Sequence, residues 1–182
     1  FKRLGFSADW DRSVFTLDDR VLKQVRETFT KMEKGGLVYR DNYIVNFCTH
    51  CGTSLAELEV IHENRIDPLY YMKYGPFILA TTRPETKFGD TAVAVNPKDK
   101  RYKKWIGEEI EVEGLMEKFK LKVVADESVD QKFGTGVVKV TPAHDFTDFE
   151  TGKRHNLELK QVIDFDGKLN ELAGLYQGLY VN

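Results

Sequence analysis

Only two cysteines, Cys48 and Cys51, occur in 182 residues, and no Asn-x-Ser/Thr acceptor occurs at all. A disulfide framework is excluded and nothing points to secretion, so a reducing, cytoplasmic setting is the expectation. Apolar runs extend over only a few residues, which excludes a membrane helix and a signal-peptide core. An excess of charge of one sign is missing too, because 27 Lys+Arg stand against 29 Asp+Glu for a net charge of -2. A domain that holds nucleic acid by bulk charge is thereby excluded; any such partner must be gripped locally or by another part of the protein. No P-loop, His-Glu-x-x-His or Gly-x-Ser-x-Gly occurs, which removes support for phosphate cradling, zinc proteolysis and elbow-serine hydrolysis. Phe133-Gly134-Thr135-Gly136 holds a Gly-x-Gly, but the apolar run Val137 to Val140 follows it as a strand where a dinucleotide fingerprint needs a helix. The Asp164 to Asn170 stretch lacks the sixth-position glycine of a calcium loop and reads as a turn.

What is present is ordinary globular composition, 41% hydrophobic and 31% charged, with a mean hydropathy of -0.44. The length allows one sizeable domain and a small appendage. The chain begins with Phe1 and its first methionine is Met32, so it is expected to be a piece of a longer reading frame.

Val21, Leu22, Val25, Phe29 and Met32 recur at spacings of three and four between Asp18 and Gly35-Gly36, which predicts a helix over 18–34. Short stretches rich in β-branched and aromatic residues follow at 37–39, 43–47, 69–74, 77–81, 91–95, 122–124 and 136–140, with a Gly75-Pro76 reversal between two of them. Helices are expected at 97–105, opened by a proline in its first turn, and at 145–155. Residues 162–169 read as strand, Asp-Gly turn, strand. The fold class is therefore strand-rich α+β: an N-terminal connecting lobe, 1–62, carrying the long helix and a CxxC turn, and a β-barrel-like body, 63–182, with a few peripheral helices.

Cys48-Thr49-His50-Cys51 has the spacing of half a zinc knuckle. Two ligands are missing, so a half-site completed from elsewhere, a redox dithiol and two plain reduced thiols all remain open. Two other segments stand out. In the first, an apolar strand runs into Thr81, Thr82, Arg83, Pro84 and Thr86. Such a strand end is either solvated decoration or a set of donors for an anionic or ester oxygen. In the second, Lys139 and Thr141 alternate along a strand that turns at Pro142 into Asp145 and Asp148. The two aspartates suit an N-cap and a first helical turn as well as they suit a binding site.

Taken together, the segments Ala80 to Thr86, Gly89 to Val95 and Gly134 to His155, with Asp9 to Asp18, Gly36 to Arg40 and Val45 to Cys48 ahead of them, resemble the editing domain of class I aminoacyl-tRNA synthetases. That insertion is called connective polypeptide 1, and the resemblance is closest to its valyl branch. Isoleucyl members usually carry a Trp and no Arg in the threonine strand, and leucyl members usually have Asp where Glu85 stands. The resemblance implies hydrolysis of a mischarged threonyl ester on the valine-specific tRNA by an oriented water. A synthetic pocket shaped for valine cannot firmly reject an isostere bearing a hydroxyl; the valyl enzymes are themselves the worked case of that limit, roughly 100-fold.

By the same resemblance, Lys139, Thr141 and Asp148 would surround the substrate hydroxyl, and His144 would line the same pocket. Asp145 would hold the α-ammonium, with Thr81, Thr82, Arg83 and Thr86 along the ester and ribose. Phe133 and Asp130 would contact the terminal adenine. Asp145, Thr81 and Arg83 are the residues expected to carry catalysis. Editing would need no cofactor, and zinc at Cys48 and Cys51 would require ligands from outside the chain. The motifs of amino-acid activation are absent, so this stretch should not activate valine. Expected partners are the threonine-bearing acceptor end of tRNA(Val) and the remainder of a synthetase, the domain itself being a monomer that binds no membrane. The competing readings are an isoleucyl-type editing domain and a non-catalytic module that docks the acceptor end of tRNA.

Overall fold

The computed structural model describes residues 1–181. The chain falls into two compact units, Phe1–Tyr43 and Ile44–Asn182. The sequence-based boundary lay at 62/63, so the segment with the cysteines belongs here to the second unit.

The first unit is built around α1 (Asp19–Lys34), preceded by single 3-10 turns at Lys2–Leu4 and Trp10–Arg12. Asp18 stands at the N-cap with extended backbone, and its carboxylate accepts the Phe15 N–H rather than a helical one. Gly36, at a φ of 69°, turns the chain away after the last helical residue. The apolar stripe expected at helical spacing is present but unburied, with Val25 58% and Phe29 54% exposed.

In the second unit, β1 (Asn46–Cys48) and β2 (Thr53–Leu55) form a small antiparallel hairpin with the cysteines at its turn. Phe47 of that hairpin packs on Phe165, ring centroids 5.0 Å apart. A second hairpin joins β3 (Tyr70–Tyr74) to β4 (Phe77–Thr81). Its turn residue Gly75 has a φ of 55°, and a Cβ there would lie 2.8 Å from the Glu111 carbonyl oxygen, so both backbone conformation and space require glycine.

The main sheet contains β5 (Ala92–Val95), β6 (Glu109–Glu113), β7 (Lys118–Ala125) and β8 (Val137–Val140) in the order β6-β7-β5-β8. Only the β5–β7 pair is parallel. Strand β5, central in this sheet, is buried on both faces, as its uninterrupted Ala-Val-Ala-Val allows. Val93 and Val95 enter the larger core with Tyr74, Phe77, Leu79, Ile110, Val112, Leu121 and Val123, while Ala92 and Ala94 face a smaller one with Val124, Val129 and Val140. Full burial of one valine contributes about 1.5–3 kcal/mol, so this strand anchors the unit.

The β3–β4 hairpin lies against the sheet's edges, β4 beside β8 and β3 beside β6. No hydrogen-bonded ladder joins them, so the architecture is strand-rich α+β without a closed barrel.

Three local expectations are corrected. Residues 97–105 form turns ending in a 3-10 turn at Lys103–Trp105, because the Asn96 and Asp99 side chains accept the Lys98 and Arg101 N–H groups and so compete with a helix. Residues 37–39 form no strand. The 162–169 segment forms no strands but isolated bridges, Ile163 to Leu169 within it and Lys168 to Tyr180 beyond it, around a turn in which Asp164 accepts the Asp166 and Lys168 N–H groups. Finally, α2 (Phe146–His155) follows β8 closely, and a Cβ on Gly152 would come within 2.8 Å of Pro142, so helix and turn pack in close contact.

Candidate functional site

The end of β4, the 3-10 turn Pro84–Gly89, the end of β8, the N-terminus of α2 and the loop 128–133 surround one cavity of about 540 Å³. That volume suits a ligand of nucleoside or small-drug size. Thr81, Thr82, Arg83, Thr86, Asp130, Phe133, Lys139, Thr141, His144, Asp145 and Asp148 all line it. The two sequence segments and the loop before β8, distant in the chain, are thus brought to one place. Cys48 and Cys51 do not line this cavity.

The floor is polar and closed to solvent. Lys139 is 6% exposed and Thr141 1% exposed. The Lys139 ammonium donates to Thr86 Oγ1 at 2.6 Å, Thr141 Oγ1 at 2.6 Å and Asp90 Oδ1 at 3.0 Å. Thr141 in turn donates to Asp90 Oδ1 at 2.6 Å, and Thr86 to the Arg83 carbonyl at 2.9 Å. Tyr74 donates to the other oxygen of Asp90. Burial and the Asp90 charge push the Tyr74 phenol far above its ordinary range, so it stays protonated.

Asp90 and Tyr74 were not foreseen from the sequence. The available signal was Lys139 itself, since a lysine between Val138 and Val140 on an otherwise apolar strand must find a counter-charge once buried.

The α2 end carries the acids. Asp145 is the N-cap and accepts the Asp148 N–H at 3.0 Å through Oδ1. The capping reading is therefore realised, and it engages one of the two carboxylate oxygens. Asp148 accepts the Thr141 N–H at 2.8 Å through Oδ2. Burial, with the Asp145 charge adding to it, raises the Asp148 carboxyl to about 6, against the lowering effect of the Thr141 N–H.

His144 is a staple of the turn. Its Nε2 accepts the Val162 N–H at 2.9 Å, its carbonyl accepts from Arg83 Nη1 at 3.2 Å, and burial, helped by Arg83 and Lys139, lowers its imidazole to about 4. At neutral pH it is an uncharged acceptor at Nε2 and not a general base.

The rim is looser. Thr81 Oγ1 accepts the Arg83 N–H at 3.1 Å, and the Arg83 side chain is half exposed beside Glu85. Phe133 is 60% exposed in a loop that Arg101 and Tyr102 tether. Arg101 Nη2 donates to the Gln131 carbonyl at 2.9 Å while bound to Asp99, and Tyr102 donates to the Thr135 carbonyl at 2.9 Å. Asp130 is exposed and accepts the Lys132 N–H at 2.9 Å.

At the hairpin turn, the Cys48 thiol lies below its ordinary range because it accepts the Cys51 N–H, and Cys51 lies above its own. His50 Nδ1 lies 3.9 Å from Cys51 Sγ, but among the described residues no three or more His, Cys, Asp or Glu side chains are grouped so that they could hold a metal ion. No helix of the described residues is long and apolar enough to cross a membrane.

Comparison with known proteins agrees with these motifs. Residues 1–112 match the family model of the class I tRNA synthetases (I, L, M and V). The chain is 48% identical over 184 residues to the valine--tRNA ligase of Syntrophotalea carbinolica, covering 98% of this chain and 20% of that protein. It is 49% identical over 186 residues to that of Petrotoga mobilis and 47% over 184 residues to that of Thermotoga maritima, each match covering 98% of this chain and 21% of the relative. The chain thus spans about a fifth of the length of these relatives. It belongs to the class I tRNA synthetase family of the isoleucine, leucine, methionine and valine enzymes, and within that family it matches a stretch of the valine--tRNA ligases.

Proposed function

We propose that this chain is the post-transfer editing hydrolase domain of a valine--tRNA ligase, removing threonine from mischarged tRNA(Val) by direct attack of water on the aminoacyl ester. The observation that carries the reading is the single cavity lined by Thr81, Arg83, Lys139, Thr141, Asp145 and Asp148. It is supported by what those residues leave available. Asp145 has one carboxylate oxygen engaged in capping and a second for an α-ammonium, a charge-assisted contact that fixes where the ester carbonyl lies. Arg83 and Thr81 stand at the rim where charge on the carbonyl oxygen needs donors. Phe133 offers an exposed ring on which an unpaired adenine can stack, and Asp130 a carboxylate to its edge.

Among the described residues no Ser–His or Cys–His pair lines the cavity: Ser128 donates to Asp126, whose carboxyl, despite its burial, the Arg154 guanidinium holds well below its ordinary range and so leaves a weak base, and His144 Nε2 is taken by Val162. A covalent acyl intermediate therefore has no candidate, and water is the nucleophile. Water adds to the ester carbonyl carbon, the tetrahedral intermediate collapses with loss of the ribose oxygen, and that oxygen takes up a proton. The products are free threonine and uncharged tRNA. Selectivity against valine comes from the buried polar floor, because burying those groups against a methyl costs on the order of 1–3 kcal/mol.

The test is release of threonine from threonyl-tRNA(Val) by the chain beside its Asp145→Ala variant. Release by the parent and at least about a tenfold loss in the variant is the expected outcome; protection of the acceptor end without release would instead mark a docking module.

A further inference from the structure

Lys139 carries three N–H bonds, and the protein's own acceptors take all three: Thr86 Oγ1, Thr141 Oγ1 and Asp90 Oδ1. The direction of every proton around it is then forced. An ammonium only donates and a carboxylate only accepts, so the Thr141 hydroxyl between them accepts from Lys139 and donates to Asp90. The Thr86 hydroxyl likewise accepts from Lys139 and donates to the Arg83 carbonyl. Each hydroxyl keeps one lone pair and no proton. Asp148 uses Oδ2 on the Thr141 N–H, and its Oδ1 has no protein partner among the described residues. Among Lys139, Thr86, Thr141 and Asp148, what remains uncommitted is acceptor capacity.

Asp90 imposes that arrangement. It is 3% exposed and receives protons from Lys139, Thr141 and Tyr74. Without its charge the ammonium keeps only the two neutral threonine oxygens as acceptors, and the Thr141 proton loses its carboxylate partner.

We infer that Asp90 is a specificity-determining positioning residue: by taking the Lys139 ammonium and the Thr141 proton it leaves an acceptor-only floor around Lys139, which reads a substrate side-chain hydroxyl as a hydrogen-bond donor. The inference rests on the hydrolase reading above and gives its recognition step a direction. Lys139 acts through the two threonines and does not donate to the substrate. A fluorine in place of the hydroxyl, similar in size but unable to donate, is rejected as a methyl is.

The test is calorimetric titration of the chain with non-hydrolysable amides of 3′-amino-3′-deoxyadenosine carrying threonyl, valyl or 2-amino-3-fluorobutanoyl groups. The parent should bind the threonyl amide at least about tenfold more tightly than either of the others. Asp90→Asn should bring the three within about twofold of one another. Because that variant strands a buried cation, Asp90→Asn/Lys139→Met is measured beside it; the double variant removes the charge pair together and stays folded. Equal binding of the fluoro and threonyl amides by the parent would overturn the acceptor-only floor. A threonyl preference retained in the folded double variant would overturn the assignment to Asp90. No threonyl preference in the parent would overturn the hydrolase reading itself and the inference with it.

Discussion

The Lys139 ammonium and the Asp90 carboxylate meet 3.0 Å apart with side chains 7% and 0% exposed, a buried ion pair tying β8 to the residue that ends the Pro84–Gly89 turn. A pair so placed stabilises little against an apolar pair of equal volume, but removing one partner strands a charge in the core. Lys139→Met is therefore expected to cost about 3–5 kcal/mol of stability, and adding Asp90→Asn to recover part of that loss. Urea denaturation of the parent, both single variants and the double variant reads the coupling; strict additivity would contradict it.

The acid at the start of α2 gives the site a pH signature. Asp148 titrates near 6 in the folded chain, above an ordinary carboxyl, with Asp145, Asp90 and Lys139 as the charged groups that act on it. As a carboxylate it accepts a substrate hydroxyl; once protonated it loses acceptor capacity. Threonine release should fall as pH drops through about 6, and Asp148→Asn should flatten that limb. The stability effect has the opposite sign, because the folded state holds this proton more tightly than the unfolded chain. Stability from this group is therefore lost as pH rises from about 4 to about 6.

His144 makes the complementary case. Its folded value near 4 lies below that of a free imidazole, so the unfolded chain takes up the proton first and stability is lost as pH falls from about 6.5 toward 4. His144→Ala leaves the Val162 N–H without its acceptor and should cost about 1–3 kcal/mol at neutral pH. It should also flatten the stability profile between those two values. An unchanged melting temperature in this variant would contradict the staple role.

Arg101 reaches the site only through the loop that bears Phe133 and Asp130, by way of the Gln131 carbonyl. Arg101→Ala should raise KM for the aminoacylated tRNA several-fold and leave kcat within about twofold, the signature of lost uniform binding. Steady-state kinetics on threonyl-tRNA separates the two constants, and a fall in kcat alone would place Arg101 in the chemistry instead.

Much of this fold is legible in the sequence where one periodicity dominates. The apolar spacing of α1, the Gly75-Pro76 reversal between β3 and β4, and the unbroken Ala92 to Val95 run each admit one reading. Strand β6 was missed because Glu109, Glu111 and Glu113 are poor strand formers. It exists because they stand opposite Lys122, Lys120 and Lys118 of β7 while Ile110 and Val112 enter the core. The 97–105 segment shows the reverse, a helical start undone by local side-chain turns.

At the site, Thr81 to Thr86 and Lys139 to Asp148 announce themselves as contiguous polar residues at strand ends. Asp90 does not, because its importance comes entirely from a lysine 49 positions away. The three bonds that turn Lys139 inward are likewise a property of packing and leave no trace in spacing.

The most direct test of the central claim is the rate at which the chain releases amino acid from threonyl-tRNA(Val) and from valyl-tRNA(Val) under single-turnover conditions. The account predicts that threonine is released at least about tenfold faster than valine. Equal rates for the two esters, or no release of threonine by the folded chain, would contradict it.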